Sequence, residues 1–116
     1  MANGCRHTLT FDSTILGTLD LLILKSLLPA PLHGWGIPKR IRLLSSDVLQ
    51  VNQGSLYPAL YRMEERGFVK SEWGLSDEGR RAKFYRLTAT GRKRVTEEQH
   101  DWRRFVVAVE QVLEGA

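Results

Sequence analysis

Apolar residues recur at helical spacing in four segments of the chain, and a pair of shorter segments between the third and the fourth has the pattern of strands. The first helical segment has an apolar residue every three or four positions: Leu19, Leu22, Ile23 and Leu27. Thr18 is suited to cap the start of this helix and Pro29 to end it. The segment therefore predicts a first helix that is buried on most sides.

The second helical segment is short and basic on its outer side. Ile37, Ile41 and Leu44 form its apolar face, and Lys39, Arg40 and Arg42 lie outside that face. Pro38 is unfavourable beyond the first turn of a helix, because it lacks an amide proton and clashes with the preceding turn. We therefore expect this helix to begin late, near Trp35, rather than to bend.

The third helix is predicted from about Gln53 to Arg66. Asn52 offers a capping side chain, and Gly67 can take the left-handed conformation that commonly ends a helix. The apolar face consists of residues spaced by four and three: Leu56, Leu60 and Met63.

The rest of the chain predicts a hairpin followed by a long helix. The segments 68–73 and 82–87 have the composition of two strands joined by a long, charged loop. Thr88 is placed to cap a final helix that continues to roughly Leu113. Three short helices followed by a hairpin favour a mainly α (α+β) fold, a winged helix-turn-helix with a long C-terminal helix.

The length of 116 residues and the composition set the class of protein. A chain that is 42% hydrophobic and 26% charged is typical of one globular domain. We expect an N-terminal arm at 1–16, loose over residues 1–13, the winged helix-turn-helix domain at 17–88 and the long C-terminal helix at 89–116. The single cysteine, Cys5, cannot form an internal disulfide, which fits a reducing cytoplasm.

The apolar run from Ile15 to Leu28 is the only candidate for a membrane or targeting segment. Asp20 and Lys25 interrupt it, and it is shorter than the ~20 residues that a spanning helix needs. A cleaved signal peptide is a weaker alternative, since Pro29 and Pro31 follow the run but charges lie within it. We expect a buried helix and no membrane partner.

The basic residues are concentrated near the predicted hairpin loop. The net charge is only +4, yet residues 79–94 contain seven basic and no acidic side chains, whereas residues 64–78 contain two basic and five acidic ones. Arg80, Arg81 and Lys83 are therefore candidates to neutralise phosphates of double-stranded DNA, and arginine can also enter a narrow minor groove. The alternative is an ordinary solvated loop.

The outer face of the third helix carries the candidate recognition surface. Glutamine and arginine can read base edges through paired hydrogen bonds, while hydroxyl groups and helix N-terminal amides suit phosphates. The candidates are Gln53, Ser55, Tyr57, Tyr61 and Arg62. The alternative for Tyr57 and Tyr61 is packing against the second helix or the arm.

Four sequence blocks in order carry a resemblance to a known family. They are Gly17 to Leu24, Leu32 to Ile37, Asn52 to Leu60 and Arg80 to Gly91. Together these blocks resemble the signature of the PadR family of transcription regulators, over about Leu16 to Leu113, and most closely its short subgroup with a single C-terminal helix. Trp35 departs from the tyrosine that is frequent at its position, and Pro38 departs from the pattern of the second helix.

The resemblance implies a dimeric winged-helix DNA-binding protein, usually a repressor. The founding members of the family respond to phenolic acids and others to varied small molecules, which implies a possible small-molecule effector. In the family His33 and Gly34 lie at a turn, and a lone histidine there is more often structural than a ligand.

The final helix has apolar residues at heptad spacing, which is typical of a helix that needs a partner. These residues are Val95, Trp102, Phe105, Val106, Val109, Val112 and Leu113. We expect them to form a two-fold homodimer interface that is covered in part by the partner's first helix. The resemblance suggests that aromatic residues such as Trp102 line an effector pocket there, and plain packing is the alternative.

Two other classes of function agree less well with the sequence. A winged-helix module that binds another protein without sequence-specific DNA binding is the main alternative, and Glu64, Glu65 and Glu72 near the predicted DNA side leave room for it. An enzyme is not expected, because no nucleophile or acid–base pair is visible. No cofactor or metal is expected either, because His7, His33, His100 and Cys5 lack ligand spacing.

Overall fold

The computed structural model describes residues 9–11 and 16–115. Cys5, His7 and most of the expected arm therefore lie outside the described residues. The elements in chain order are β1 Leu9–Phe11, α1 Leu16–Ser26, β2 Leu32–His33, α2 Gly36–Leu44, β3 Leu49–Val51, α3 Gln53–Glu65, β4 Val69–Leu75, β5 Arg81–Leu87 and α4 Ala89–Gly115.

The core lies where α1, α2 and α3 pack together with the base of the β4–β5 hairpin. Each helix contributes the apolar face that its spacing predicts, and every fully buried side chain contributes about 1.5–3 kcal/mol to folding. The largest fully buried side chains are Leu19, Ile23, Leu24, Leu27, Ile37, Leu56, Leu60, Met63, Val69 and Val95. α1 begins at Leu16, so Thr18 lies within the helix and is not its cap.

The late start of α2 is confirmed, and it explains how the helix contains a proline. Trp35 is the N-cap residue, so Pro38 lies in the first turn, where an amide would have no partner within the helix. The apolar face is shorter than expected. Ile37 and Ile41 are buried, but Leu44 is exposed because it is the last residue of the helix and lies beyond the core.

Two short strands at the start of the chain and before α3 were not predicted. β1 pairs in parallel with β3, from Leu9 opposite Leu49 to Phe11 opposite Val51. The expectation of a loose arm is therefore wrong for residues 9–11, which form a backbone ladder. Ser46 and Asp47, with φ of 54° and 67°, make the turn that leads from α2 into β3.

The hairpin is longer than its sequence pattern predicts. β4 and β5 are antiparallel from Val69 opposite Leu87 to Leu75 opposite Arg81, so that the connecting loop is only residues 76–80. Gly79, at a φ of +77°, closes that loop. β2 adds a third strand on the other edge of β5, which gives the order β2-β5-β4.

α4 starts against the turn that follows α3. The Thr88 hydroxyl oxygen accepts a 2.9 Å hydrogen bond from the amide of Gly91 and donates to the carbonyl of Gly67 at 2.6 Å. This confirms Thr88 as the cap. Gly91 is buried directly against Phe68, and from His100 onward every described residue of the helix is exposed.

Candidate nucleic-acid interface

The start of α3 is fixed by its cap. The Asn52 side chain accepts a 2.9 Å hydrogen bond from the amide of Ser55. This bond uses one of the amides that helix N-termini otherwise offer to phosphates, and it holds the first turn in a defined orientation. Gln53 is exposed at the first position of the helix, whereas Ser55 is half-buried.

Tyr57 and Tyr61 lie on the exposed face of α3, but each has a partner within the chain. A Cβ placed on Gly34 would lie 2.6 Å from the Tyr57 hydroxyl oxygen, so the ring of Tyr57 rests against the backbone that leads into α2. A hydrogen bond to Glu65 and the charge of that carboxylate raise the pKa of Tyr61. Tyr57 therefore packs as well as facing outward, while Tyr61 is the more exposed of the two tyrosines.

Arg62 does not lie on the same face as the tyrosines. Its Nη2 is 3.2 Å from Oδ1 of Asp20 on α1, and both side chains are partly shielded from water. Sequence spacing placed Arg62 on the outer side of the helix, but the neighbouring carboxylate draws the guanidinium across to α1. This geometry argues against Arg62 as a reader of base edges.

Asp20 is the charged centre of the packing between α1 and α3. Burial raises its pKa, and the charge of Arg62 and the hydrogen bond from it oppose that shift only in part. Arg66 also lowers the pKa, while Glu98 of α4 raises it. Asp20 is therefore influenced by charges on both α3 and α4.

The hairpin turns one of its two faces toward α3. The Ser71 hydroxyl donates a 2.7 Å hydrogen bond to Oε2 of Glu64 on α3. Because side chains alternate along a strand, Trp73 shares the face of Ser71, and the register places Lys83 opposite Trp73 on that same face. The cationic side of the hairpin is thus on the α3 side of the molecule.

The predicted cations of the hairpin are exposed, and two of them are held by aromatic rings. The guanidinium of Arg81 lies 5.0 Å from the centre of the Trp73 ring, and the Lys83 ammonium lies 6.0 Å from the Tyr85 ring. Arg80 is exposed in the loop. Sequence reasoning missed Trp73, although the alternation in β4 was enough to place it beside the cations.

The acidic residues near this surface have partners. Glu64 accepts the hydrogen bond from Ser71, and Glu72, on the other face of the hairpin, forms an ion pair with Arg86 at 3.4 Å. Both Glu64 and Glu72 therefore have structural contacts within the chain.

The predicted apolar surface of α4 is exposed except at Val95. Val95 is 2% exposed and belongs to the core, because it lies in the part of the helix that packs against the domain. The other six predicted residues are between 36% and 70% exposed and are called the apolar stripe here: Trp102, Phe105, Val106, Val109, Val112 and Leu113. Val107, which was not predicted, is also exposed.

An open groove of about 240 Å³ lies at the near end of the apolar stripe. Its lining comes from α1 and α4 and includes Thr18, Leu21, Trp102 and Phe105. The rings of Trp102 and Phe105 are 5.8 Å apart at their centres. The groove therefore joins two aromatic rings to the first helix.

His33 has the role of a structural residue. Its Nδ1 accepts a 3.1 Å hydrogen bond from the amide of Gly36, and its ring packs against Trp35. Within residues 9–11 and 16–115 no three side chains of the types that bind metals come together. The described helices also include none with the length and apolar character needed to cross a membrane.

Comparison with known proteins relates this geometry to a family. The model of the transcriptional regulator PadR-like family matches residues 23–97, which are more than half of the chain. A solved PadR family transcription regulator from Clostridium difficile is 31% identical, with a TM-score of 0.70, over 82% of this chain and 97% of that one.

Two further relatives agree with this match. A transcriptional regulator from Clostridium thermocellum has a TM-score of 0.76 at 27% identity, over 86% of this chain and 97% of its own. A transcriptional regulator of Mycobacterium tuberculosis is 41% identical over 56 residues, which are 48% of this chain and 51% of that protein. The chain therefore belongs to the PadR-like family of transcriptional regulators, with the winged helix-turn-helix fold and a long C-terminal helix.

Proposed function

We propose that this chain is a repressor that binds a pseudo-palindromic DNA operator as a homodimer. The observation that carries the proposal is the hydrogen bond between Ser71 and Glu64, which holds the cationic face of the hairpin on the same side as the exposed face of α3. α3 then enters the major groove while the hairpin lies on the neighbouring backbone. A bound dimer prevents transcription by occupying the operator.

The DNA-contacting residues fall into two groups. Gln53 and Tyr61 are exposed on α3, and they contact base edges or phosphates in the major groove. Ser55 and Tyr57 border them, held by the helix cap and by Gly34. Arg80, Arg81 and Lys83 lie along the DNA backbone, where they neutralise phosphates and where an arginine also reaches a narrow minor groove. Arg62 takes a different role, since its contact with Asp20 positions α3.

The apolar stripe of α4 supports the homodimer. A contiguous apolar surface of this kind marks an association site, and a second copy of the same helix offers the complementary heptad spacing. Two-fold symmetry then presents two copies of α3 to half-sites about 34 Å apart, or a multiple of that distance.

The groove beside Trp102 supports binding of a small-molecule effector. It lies between α1 and the apolar stripe, so an aromatic or apolar ligand there contacts both the DNA-binding domain and the dimer interface. Such a ligand releases DNA only if it binds the DNA-free arrangement of the dimer more tightly than the DNA-bound one.

The test is a salt titration of DNA binding with matched variants. An operator duplex is selected from random fragments, and the affinity of the wild type is expected to fall steeply with salt, with a slope of about 0.9 per phosphate contacted. Arg81→Ala and Lys83→Ala should each weaken binding to all duplexes and reduce the slope by about one. Gln53→Ala should instead relax the preference at particular base pairs.

Lys25→Ala is the control, because Lys25 is exposed at the end of α1 and outside both groups. It should leave affinity and slope unchanged. A wild type with no sequence-selective complex would reject the proposal and favour the alternative of a protein-interaction module. Unchanged slopes in both hairpin variants would reject the assignment of the hairpin.

A further inference from the structure

Two large apolar side chains lie exposed near the end of the hairpin. Trp73 is 59% exposed and Leu75 is 72% exposed. A single exposed apolar residue on a surface is ordinary, but these two are next to each other on one face of a strand, and the other exposed side chains of the hairpin are polar.

The face that carries them is continuous with the surface of α3. Val69 and Ser71 precede them on the same face, and there Val69 is buried in the core and Ser71 is bonded to Glu64. Trp73 and Leu75 therefore extend the α3 side of the hairpin beyond the core, toward the place where a duplex held by α3 would continue.

The two cations on this face are directly opposite the apolar pair. Register places Leu75 opposite Arg81 and Trp73 opposite Lys83, and the Arg81 guanidinium lies over the indole of Trp73 at 5.0 Å. The ring limits the conformations of the arginine and shields one side of it from water. Arg81 is thereby preorganised, so less conformational entropy is lost when it contacts an anion.

We propose that Trp73 and Leu75 are DNA contacts that pack against the deoxyribose walls of a minor groove and direct Arg81 into it. The inference rests on the proposed function and assigns to the same site two residues that its charges do not identify. Major and minor grooves alternate along a duplex, so a hairpin beside a helix in the major groove meets the adjacent minor groove. Apolar side chains and arginine are the groups that suit a narrow groove rich in A·T pairs.

The first measurement is affinity for the selected operator duplex at several salt concentrations. Trp73→Ala and Leu75→Ala should each weaken binding about tenfold. The salt slope should change by less than one in either variant, because neither residue carries a charge. Arg81→Ala should reduce the slope by about one. Replacing A·T pairs with G·C pairs beside the half-sites should weaken DNA binding by the wild type more than it weakens DNA binding by the Trp73→Ala variant.

The second measurement is direct contact, and it does not depend on affinity. At saturating operator DNA, the tryptophan fluorescence of the wild type should become protected from acrylamide. Trp73→Phe should lose most of this DNA-dependent protection. This variant keeps an aromatic ring at an exposed position, so it also answers the question if Trp73→Ala fails to fold.

Lys70→Ala is the control, because Lys70 is exposed on the opposite face of the same hairpin. It should retain both affinity and protection. If the wild type binds the operator but Trp73→Ala binds equally well and Trp73→Phe keeps the protection, the inference is overturned while the proposed function stands. Protection that appears without DNA as protein concentration rises is expected from Trp102 in the dimer interface. If this protection is larger in the wild type than in Trp73→Phe, a second copy covers Trp73 and the inference is overturned. A wild type that binds no operator would reject the proposed function itself.

Discussion

Nη2 of Arg62 lies 3.2 Å from Oδ1 of Asp20, and this contact joins the proposed recognition helix α3 to α1. The pair is partly shielded from water, so it contributes more to the free energy of unfolding than a typical surface ion pair does. We expect Arg62→Ala to lower the free energy of unfolding by about 1 kcal/mol, measured by urea denaturation. The base preference of DNA binding should not change, because the guanidinium already has a partner.

Arg86→Ala is the matched control for this prediction. Arg86 forms an ion pair with Glu72 at 3.4 Å, but that pair is more exposed. Its loss should change the free energy of unfolding by less than about 0.5 kcal/mol. A selective loss of preference at one base pair in Arg62→Ala would show that Arg62 reads DNA after all.

The raised pKa of Asp20 predicts a pH dependence of stability. Burial makes the folded state bind the Asp20 proton more tightly than the unfolded state, whose pKa is near 3.8. The stability from this group is therefore fully present below pH 3.8 and is lost as the pH rises through the folded pKa. Asp20→Asn cannot titrate, so its free energy of unfolding relative to the wild type should increase over that pH range.

The comparison needs both proteins measured by chemical denaturation across the same series of buffers, from below pH 3.8 to neutral. The double variant Asp20→Asn, Arg62→Ala serves as the reference for the charge of Arg62. A difference that decreases with rising pH would contradict the prediction, and it would mean that pairing with Arg62 outweighs burial.

Close packing at the start of α4 makes Gly91 a site that no larger residue can occupy. A Cβ at this position would overlap the carbonyl oxygen of Phe68, which is backbone and has little freedom to move. Gly91→Ala should therefore lower the free energy of unfolding by about 3 kcal/mol, although alanine favours helices. Gly115→Ala, in the same helix with open space around it, should have no destabilising effect. Equal stability of the two variants would contradict this packing.

Substitutions at Val95 and Phe105 should affect two different properties, the stability of the fold and the association of two copies. Val95 is buried within the chain, so Val95→Ala is expected to lower the free energy of unfolding by about 2 kcal/mol. Phe105 is 59% exposed, and Phe105→Ala should instead raise the dimer dissociation constant by about tenfold or more, measured by sedimentation. A wild type that stays monomeric at micromolar concentration would contradict the association surface.

Caps and long helices could be predicted from the sequence because their signals are local. Asn52, Gly67 and Thr88 each act through a side chain or a backbone angle that is set by a few neighbours. The three short strands β1, β2 and β3 were missed because two or three residues are too few to show a period. They form only because the fold brings distant segments side by side.

The surroundings of two predicted site residues, Arg62 and Val95, could not be predicted for a related reason. Helical spacing indicates the side of a helix on which Arg62 lies, but not that Asp20 faces it from another helix. Heptad spacing is the same for a residue that packs within the chain and for one that packs against a partner, so Val95 could not be separated from Phe105. Exposure along α4 changes only where the helix leaves the domain, which depends on the tertiary structure.

The length of α4 has a mechanical consequence for a dimer joined through its outer half. The helix spans 27 residues, or about 40 Å, and its first turn is fixed to the end of α3 through Thr88. A rotation of about 10° between two such helices at the interface would displace each DNA-binding domain by roughly 5 Å, given the length of the helix. Small changes in side-chain packing between the subunits would thus be amplified into a different separation of the DNA-binding surfaces.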